Sequence, residues 1–209
     1  MDNDVKERFD SASKEYVTDR YIWRKRSGQL VSNLITPSLN DIILDMGCGT
    51  GKQIIDLSNF IRLGIGIDIS EGMITQSIIN ANNENRKNVE FFIGTFEEPD
   101  QNVNLKEKYI TKIISNYALH HLDLRKKKQA IEKMLYIGGQ SLQTIVIGDL
   151  MFFENPDKYK DEYDAIGYGP GSDQPSMVQE LVDCFSKLNF SIKVHQVHPL
   201  VGVLVANKK

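Results

Sequence analysis

The sequence predicts an α/β fold, a seven-stranded, mostly parallel sheet with helices on both faces and a C-terminal antiparallel hairpin. Three observations predict it. Short apolar runs alternate with helix-length segments, the pattern of strands joined by crossover helices. The first run, Ile42-Ile43-Leu44, breaks into the glycine-spaced turn Gly47-Cys48-Gly49-Thr50-Gly51, and the next closes on an acid, Asp68. The last two runs are separated only by His198-Pro199-Leu200-Val201, too short for a parallel crossover, so they must pair antiparallel.

In chain order, helices are expected over 5–15 and 21–33, before Pro37 breaks the pattern. Strand one covers 42–45 and is apolar on both faces, as a buried parallel strand requires. A helix follows the glycine turn from Lys52 to about Arg62, and strand two covers 63–69. Ser70 caps the next helix, which fades in the polar run 80–88. Strands three and four cover 89–93 and 109–115. Asp123 caps a helix reaching Tyr136, with Gly138-Gly139 as its stop. Strand five covers 143–150, a polar and aromatic stretch fills 151–175, and Ser176 opens a helix to about Leu188. Strands over 190–197 and 202–207 finish the chain. No repeat or linker divides it, so 1–209 is expected to be one domain, with 1–38 a helical cap and 151–175 a lid over the substrate.

Composition narrows the partners. A net charge of −3 gives no general attraction to nucleic acid or an anionic membrane. No apolar stretch approaches the ~20 residues that span a bilayer, and the polar start Met-Asp-Asn-Asp is unlike a signal peptide. Cys48 and Cys184 lie far apart without metal-ligand spacing, so neither a disulfide framework nor a metal is expected. A cytoplasmic enzyme fits these bounds.

The turn after strand one identifies a ligand class. A dinucleotide fingerprint needs Gly-x-Gly-x-x-Gly and a helix N-terminus aimed at a pyrophosphate. Here the third glycine comes one residue early, and Asp45 stands beside the turn. A carboxylate there suits a ligand with a positive amino group better than one with phosphates. Asp68, at the tip of strand two, is placed to accept ribose hydroxyls. The site therefore favours an amino-acid nucleoside.

Asp45-Met46-Gly47-Cys48-Gly49-Thr50-Gly51 resembles the first motif of class I S-adenosylmethionine-dependent methyltransferases, whose Rossmann-like seven-stranded sheet matches the predicted element order. The resemblance implies S-adenosylmethionine as cofactor. It implies that Asp45 orients the methionyl amino group, that Gly47 and Gly49 offer backbone to the methionyl end, and that Gly51 lets the next helix pack closely. Asp68 matches the ribose acid, with Ile69, and more weakly Met73, against adenine. After strand three, Gly94-Thr95-Phe96 stands where many relatives have Gly-Asp; the Thr95 hydroxyl and the Phe96 backbone N–H would reach the base, and an ordinary turn is the alternative. Strand four ends Ser115-Asn116-Tyr117-Ala118-Leu119-His120-His121-Leu122, similar to the family segment bordering the methionyl group, and Asn116 takes that place. Phe9 to Tyr16 resembles the opening segment of small-molecule methyltransferases of the ubiquinone and menaquinone biosynthetic type, in which a tyrosine, here Tyr16, faces the methyl group; a core-facing stripe shared by Phe9 and Tyr16 is the alternative.

Methyl transfer from a sulfonium is an in-line displacement whose leaving group needs no acid. A base is required only for a protonated acceptor, and Tyr16, His120 and His121 are the nearest candidates, His121 foremost. Aromatic residues of the stretch after strand five, with Phe153 and Tyr168 selected, are expected to wall the acceptor. Two basic runs, Arg24-Lys25-Arg26 and Arg125-Lys126-Lys127-Lys128, keep an RNA methyltransferase as the alternative, although both are expected to face solvent. A non-catalytic nucleotide-binding module of the same fold is the third reading.

Overall fold

The computed structural model describes residues 2–13, 21–186 and 188–209. Its sheet runs in the order β3-β2-β1-β4-β5-β8-β7. The strands are β1 (Ile42–Met46), β2 (Leu63–Asp68), β3 (Val89–Ile93), β4 (Lys112–Asn116), β5 (Thr144–Phe152), β6 (Ser176–Met177), β7 (Phe190–His198) and β8 (Val201–Lys208). From β3 to β5 every neighbour is parallel. β8 is antiparallel to both β5 and β7, as the tight turn between the last strands demands.

Alternation along β1 distributes its side chains to the two faces. Ile42, Leu44 and Met46 pack into one apolar layer with α5 (Leu124–Gly138), through Ile131, Met134 and Ile137, and with Leu181 of α7 (Val178–Cys184). Ile43 joins the opposite layer, with Val31 of α2 (Ile22–Leu34) and Ile54 and Leu57 of α3 (Lys52–Leu57). β1 is buried throughout, whereas β7, at the edge, alternates in exposure. The remaining helices are α1 (Asp2–Ala12), α4 (Glu71–Asn83) and α6 (Tyr163–Ile166). Ser70 caps α4 by accepting from Met73 N–H, and Asp123 caps α5 by accepting from Lys126 N–H.

The structure moves several expected boundaries. The helix over 52–62 ends as α at Leu57 and tightens into a 3₁₀ turn, Ser58–Phe60. The fourth strand starts at Lys112, because Leu105–Lys108 forms a 3₁₀ turn and Tyr109 takes a left-handed φ of 56°. Ser176 does not open a helix: it begins β6, which pairs with the end of β5, and the helix starts at Val178. The stretch after β5 contains a 3₁₀ segment, Pro156–Glu162, running into α6.

One basic run is also not a solvent face. Lys127 is 1% exposed and donates to Ser176 Oγ at 2.8 Å and to the Gln174 carbonyl. Among the described residues, no helix is long and apolar enough to cross a membrane.

Candidate active site

The carboxyl ends of β1, β2 and β4 open on a cleft of about 1090 Å³, including its mouth, where an open α/β sheet binds ligands. Its floor is the turn after β1. Gly47 N–H and Cys48 N–H both donate to the Ile67 carbonyl, at 2.8 and 3.0 Å, which ties the turn to the end of β2. Asp68 completes the tie. Its Oδ2 accepts from Gly49 N–H at 2.8 Å and its Oδ1 from Ser70 N–H at 3.0 Å. Gly47 takes φ +78° and leaves no room for a side chain, since a Cβ there would stand 2.4 Å from that of Ala118. A Cβ on Gly49 would meet nothing within 4 Å, so its backbone faces open space.

Two acids shape the electrostatics. Asp45 is 3% exposed, and burial followed by the charge of Asp68 pushes its carboxyl up to about 8. Asp68 is also raised by burial, and backbone donors at Ser70, Gly49 and Ile69 oppose the rise. A buried carboxyl held up this way is set to receive a cation, whose arrival would restore its charge.

α1 closes one side. Asp10 Oδ1 accepts from Ser70 Oγ at 2.6 Å and Gly72 N–H at 3.0 Å, which docks α1 on the start of α4 and brings Phe9 to the cleft wall. α2 closes another side through Arg24. Ser27 Oγ donates to Asn116 Oδ1 at 2.9 Å, so α2 holds the Asn116 side chain at the cleft edge, with its NH₂ beside Gly28.

Of the residues selected from sequence, Asp45, Gly47, Gly49, Asp68, Ile69, Thr95, Phe96, Asn116 and His121 line this one cleft. Gly51 stands behind it at φ +76°, where a Cβ would meet Phe91 and Ser77 below 3 Å; close packing of α4 and β3 is its reason for being glycine. Thr95 Oγ1 accepts from Glu98 N–H at 2.9 Å, so it also serves the local turn. Burial, then the neighbouring His120, pushes the His121 ring down to about 4. Tyr16 lies outside the described residues.

Phe153 and Tyr168 stand elsewhere than expected. Phe153 packs against Gly202 in the core beneath β8, because β5 runs two residues further than the sequence suggests and carries the chain past the cleft. Tyr168 packs edge-on against Phe152 and Tyr163, at 5.5 and 4.7 Å between ring centres, one layer behind the cleft.

Tyr117 and Arg24 are among the lining residues to which sequence reasoning gave no place in the site. Tyr117 is 8% exposed, has a left-handed φ of 54°, and its hydroxyl makes no hydrogen bond among the described residues. Burial, then the charge of Asp149, raises its hydroxyl pKa, and Arg24 opposes this. A bulky residue in that backbone region and a buried hydroxyl without a partner each cost energy, a combination that gathers at ligand sites. The signal available in the sequence was position alone, directly after Asn116.

A model described as a methyltransferase domain matches residues 38–162, more than half of the chain. The chain belongs to the methyltransferase-domain family. With membership comes S-adenosylmethionine as methyl donor, and the cleft passes the test of fit: a buried acid awaits the amino group, and glycine backbone faces the space beside it. An uncharacterized methyltransferase, OB1106 of Oceanobacillus iheyensis, is 27% identical over 187 residues, covering 86% of this chain and 83% of that one. Magnesium protoporphyrin IX methyltransferase from Synechocystis, solved with bound S-adenosylmethionine, superposes with a TM-score of 0.68 at 15% identity, over 100% of this chain and 97% of that one. The DhpI-SAM-HEP complex gives a TM-score of 0.68 at 15% identity, over 96% and 94% of the two chains. At such identities the structural likenesses establish the fold of the methyltransferase.

Proposed function

We propose that this methyltransferase transfers its methyl group to a small-molecule acceptor seated at the Tyr117 end of the cleft. Asp45 carries the reading: a buried carboxyl with a raised pKa, beside glycine backbone at the end of β1. S-adenosylmethionine would supply a sulfonium-bound methyl group, open to in-line attack at its carbon with S-adenosylhomocysteine as the leaving group. The chain holds the donor. Asp45 receives the ammonium group, and Asp68, while clamping Gly49, keeps lone pairs for ribose hydroxyls. Ile69 and Phe96 give the adenine apolar walls, Thr95 lies at the base edge, and the Asn116 side chain borders the methionyl end.

The acceptor side is walled by Phe9, Arg24, Tyr117 and His121. Enclosure by α1 and α2 excludes water and fixes the line of attack, the protein's main contribution in a displacement of this kind. The Tyr117 hydroxyl offers a hydrogen bond that none of the described residues uses, and Arg24 supplies positive charge nearby. A cytoplasmic setting belongs to the same reading.

Transfer of labelled methyl from S-adenosylmethionine into fractionated cell extract tests the proposal. Label in a metabolite fraction supports it, label in RNA selects an RNA methyltransferase, and no label from a donor-binding protein selects a non-catalytic module. Tyr117→Phe sharpens the test. Its melting temperature should match or exceed the parent's, because a buried unpaired hydroxyl is removed. Its KM for the acceptor should rise about ten-fold while donor affinity holds. An unchanged KM removes Tyr117 from the acceptor site.

A further inference from the structure

Beside the cleft, four buried ionisable side chains form a chain: Asp149, His120, His121 and Asp173, with side-chain exposures of 2%, 4%, 12% and 5%. Three segments supply them, the turn after β4, the middle of β5 and the loop before β6. Gln174 N–H donating to the His120 carbonyl at 2.6 Å brings the loop to the turn.

We propose that His120, His121 and Asp173 bind a divalent transition-metal ion of the zinc class. One ligand atom from each lies within 4.8 Å of the others. His121 Nδ1 stands 3.3 Å from Asp173 Oδ1, a contact too poorly aligned for a well-formed hydrogen bond, and among the described residues the buried Nδ1 has no other hydrogen-bond partner. Two ligands about 2.05 Å from a tetrahedral ion stand roughly 3.3 Å apart. The pair thus has the spacing of one edge of a coordination shell, and a shared ion would take the place of any ring proton between them.

The surrounding bonds prepare the other donors. His120 Nδ1 meets Asp149 Oδ1 at 2.5 Å, which places the ring proton there and leaves Nε2 its lone pair. Asp149 is held in turn by His120 N–H at 2.9 Å and Leu150 N–H at 2.8 Å. A carboxylate behind a ligating histidine is the usual support in metal sites. Asp173 Oδ2 accepts from Gly169 N–H at 2.8 Å and Oδ1 from Ser172 Oγ at 3.3 Å, which fixes the side chain with Oδ1 toward His121 and one lone pair of that oxygen still unused. Two cations stand nearby. Arg8 Nη2 donates to His121 Nε2 at 3.4 Å, a long contact that must open when Nδ1 takes the ion and the ring proton moves to Nε2, and Lys127 bonds to the Gln174 carbonyl. The two carboxylates offset them.

Three nitrogen and oxygen ligands leave a fourth position for water or an acceptor atom. His121 lines the cleft, so the ion would stand at the wall of the acceptor side. The site escapes sequence reading because Asp173 lies far along the chain from the His120-His121 pair and joins it only through the folded loop.

The full chain, freed of metal with a chelator, is titrated with Zn²⁺ by calorimetry and with Co²⁺ by visible absorbance. One equivalent should bind, with the intense bands of four-coordinate Co²⁺. Asp173→Asn and His121→Gln should each weaken binding at least ten-fold, and Asp149→Asn about ten- to a hundred-fold. Circular dichroism and binding of S-adenosylhomocysteine are followed in every variant. Retained product binding shows that the fold and donor site survive, so metal loss in such variants is local. Zn²⁺ binding that is absent in the parent, or equal in parent and Asp173→Asn, overturns the proposal and leaves the methyl-transfer reading untouched.

Discussion

Donor affinity should rise steeply with pH, because the carboxyl that must meet the ligand's ammonium group is held mostly neutral before binding. Asp45 titrates near 8 in the folded chain, raised by burial and by Asp68. At pH 6 a group of that pKa is about 1% ionised, and at pH 8 about half. If only the carboxylate form accepts the ammonium, affinity for S-adenosylhomocysteine should increase about fifty-fold across that interval, or roughly 2.3 kcal/mol. Binding should release about one proton at pH 6 to 7, which calorimetry in two buffers of different ionisation enthalpy reads directly. Without ligand, stability follows the opposite trend. Unfolded Asp45 loses its proton near pH 4, and the folded group keeps it to about 8. The folded state therefore binds more protons in between, and stability falls as pH rises through that window. Asp45→Asn should bind weakly with no pH slope. A dissociation constant that varies less than two-fold from pH 6 to 8 in the parent, or the same slope in Asp45→Asn, would refute the assignment.

Other substitutions probe the frame around the site. Gly47→Ala must strain a φ of +78° and push its Cβ against Ala118, so a loss of about 1–3 kcal/mol and failure to bind the product are expected by thermal melt and calorimetry. Asp10→Ala removes both bonds that dock α1, and hydrogen exchange of α1 amides should accelerate about ten-fold or more while the β1 core stays protected. Lys112→Ala leaves Asp41 buried without its ion partner, now at 2.7 Å, and should cost about 3–5 kcal/mol in denaturant unfolding. Burial works to raise the Asp41 pKa, but bonds from Lys112, Thr111 and Ser38 outweigh it and hold it low. Its stabilisation is therefore present above the unfolded pKa near 4 and lost as acid takes the pH below.

The strand order, and the gathering of the selected glycines and acids at one cleft, were legible because their signals are local. An apolar run ending in Gly47, Gly49 and Gly51 encodes strand, turn and helix within a dozen residues, and Asp68 terminates a second run of the same kind. Backbone bonds then do the assembly: Gly47 and Cys48 donate to Ile67, and Gly49 to Asp68. Helix caps at Ser70 and Asp123 were legible for the same reason, since a cap is made three residues away. Phe153 and Tyr168 misled because alternation states which residues share a face, not which face meets the cleft. Two further residues in β5 decided that for Phe153. Arg24 and Lys127 misled because charge density was taken as exposure, whereas each lies in a basic run of which one member turns inward to a cleft wall or a loop carbonyl.

The proposed acceptor side has a different physical origin, which explains why the sequence says least about it. Its parts come from α1, α2, the turn after β4 and the loop before β6, and none acquires a role until the sheet has closed beneath it. The β4 turn is central to all of them. Tyr117 leaves the strand in a left-handed conformation, and its N–H is held at 2.8 Å by the Gly148 carbonyl. The chain then turns through the short 3₁₀ segment Leu119–His121, which delivers His121 to the cleft and His120 to Asp149. Straightening that turn would remove the unpaired hydroxyl from the cleft and separate the two histidines in one movement. The left-handed turn at Tyr117 is thus shared by the proposed acceptor wall and the histidine pair. Glycine takes that φ without strain, so Tyr117→Gly keeps the turn and removes only the side chain. It should retain donor binding and metal uptake and lose acceptor turnover; loss of metal uptake as well would show that the Tyr117 ring, and not the turn alone, holds the histidine pair in place.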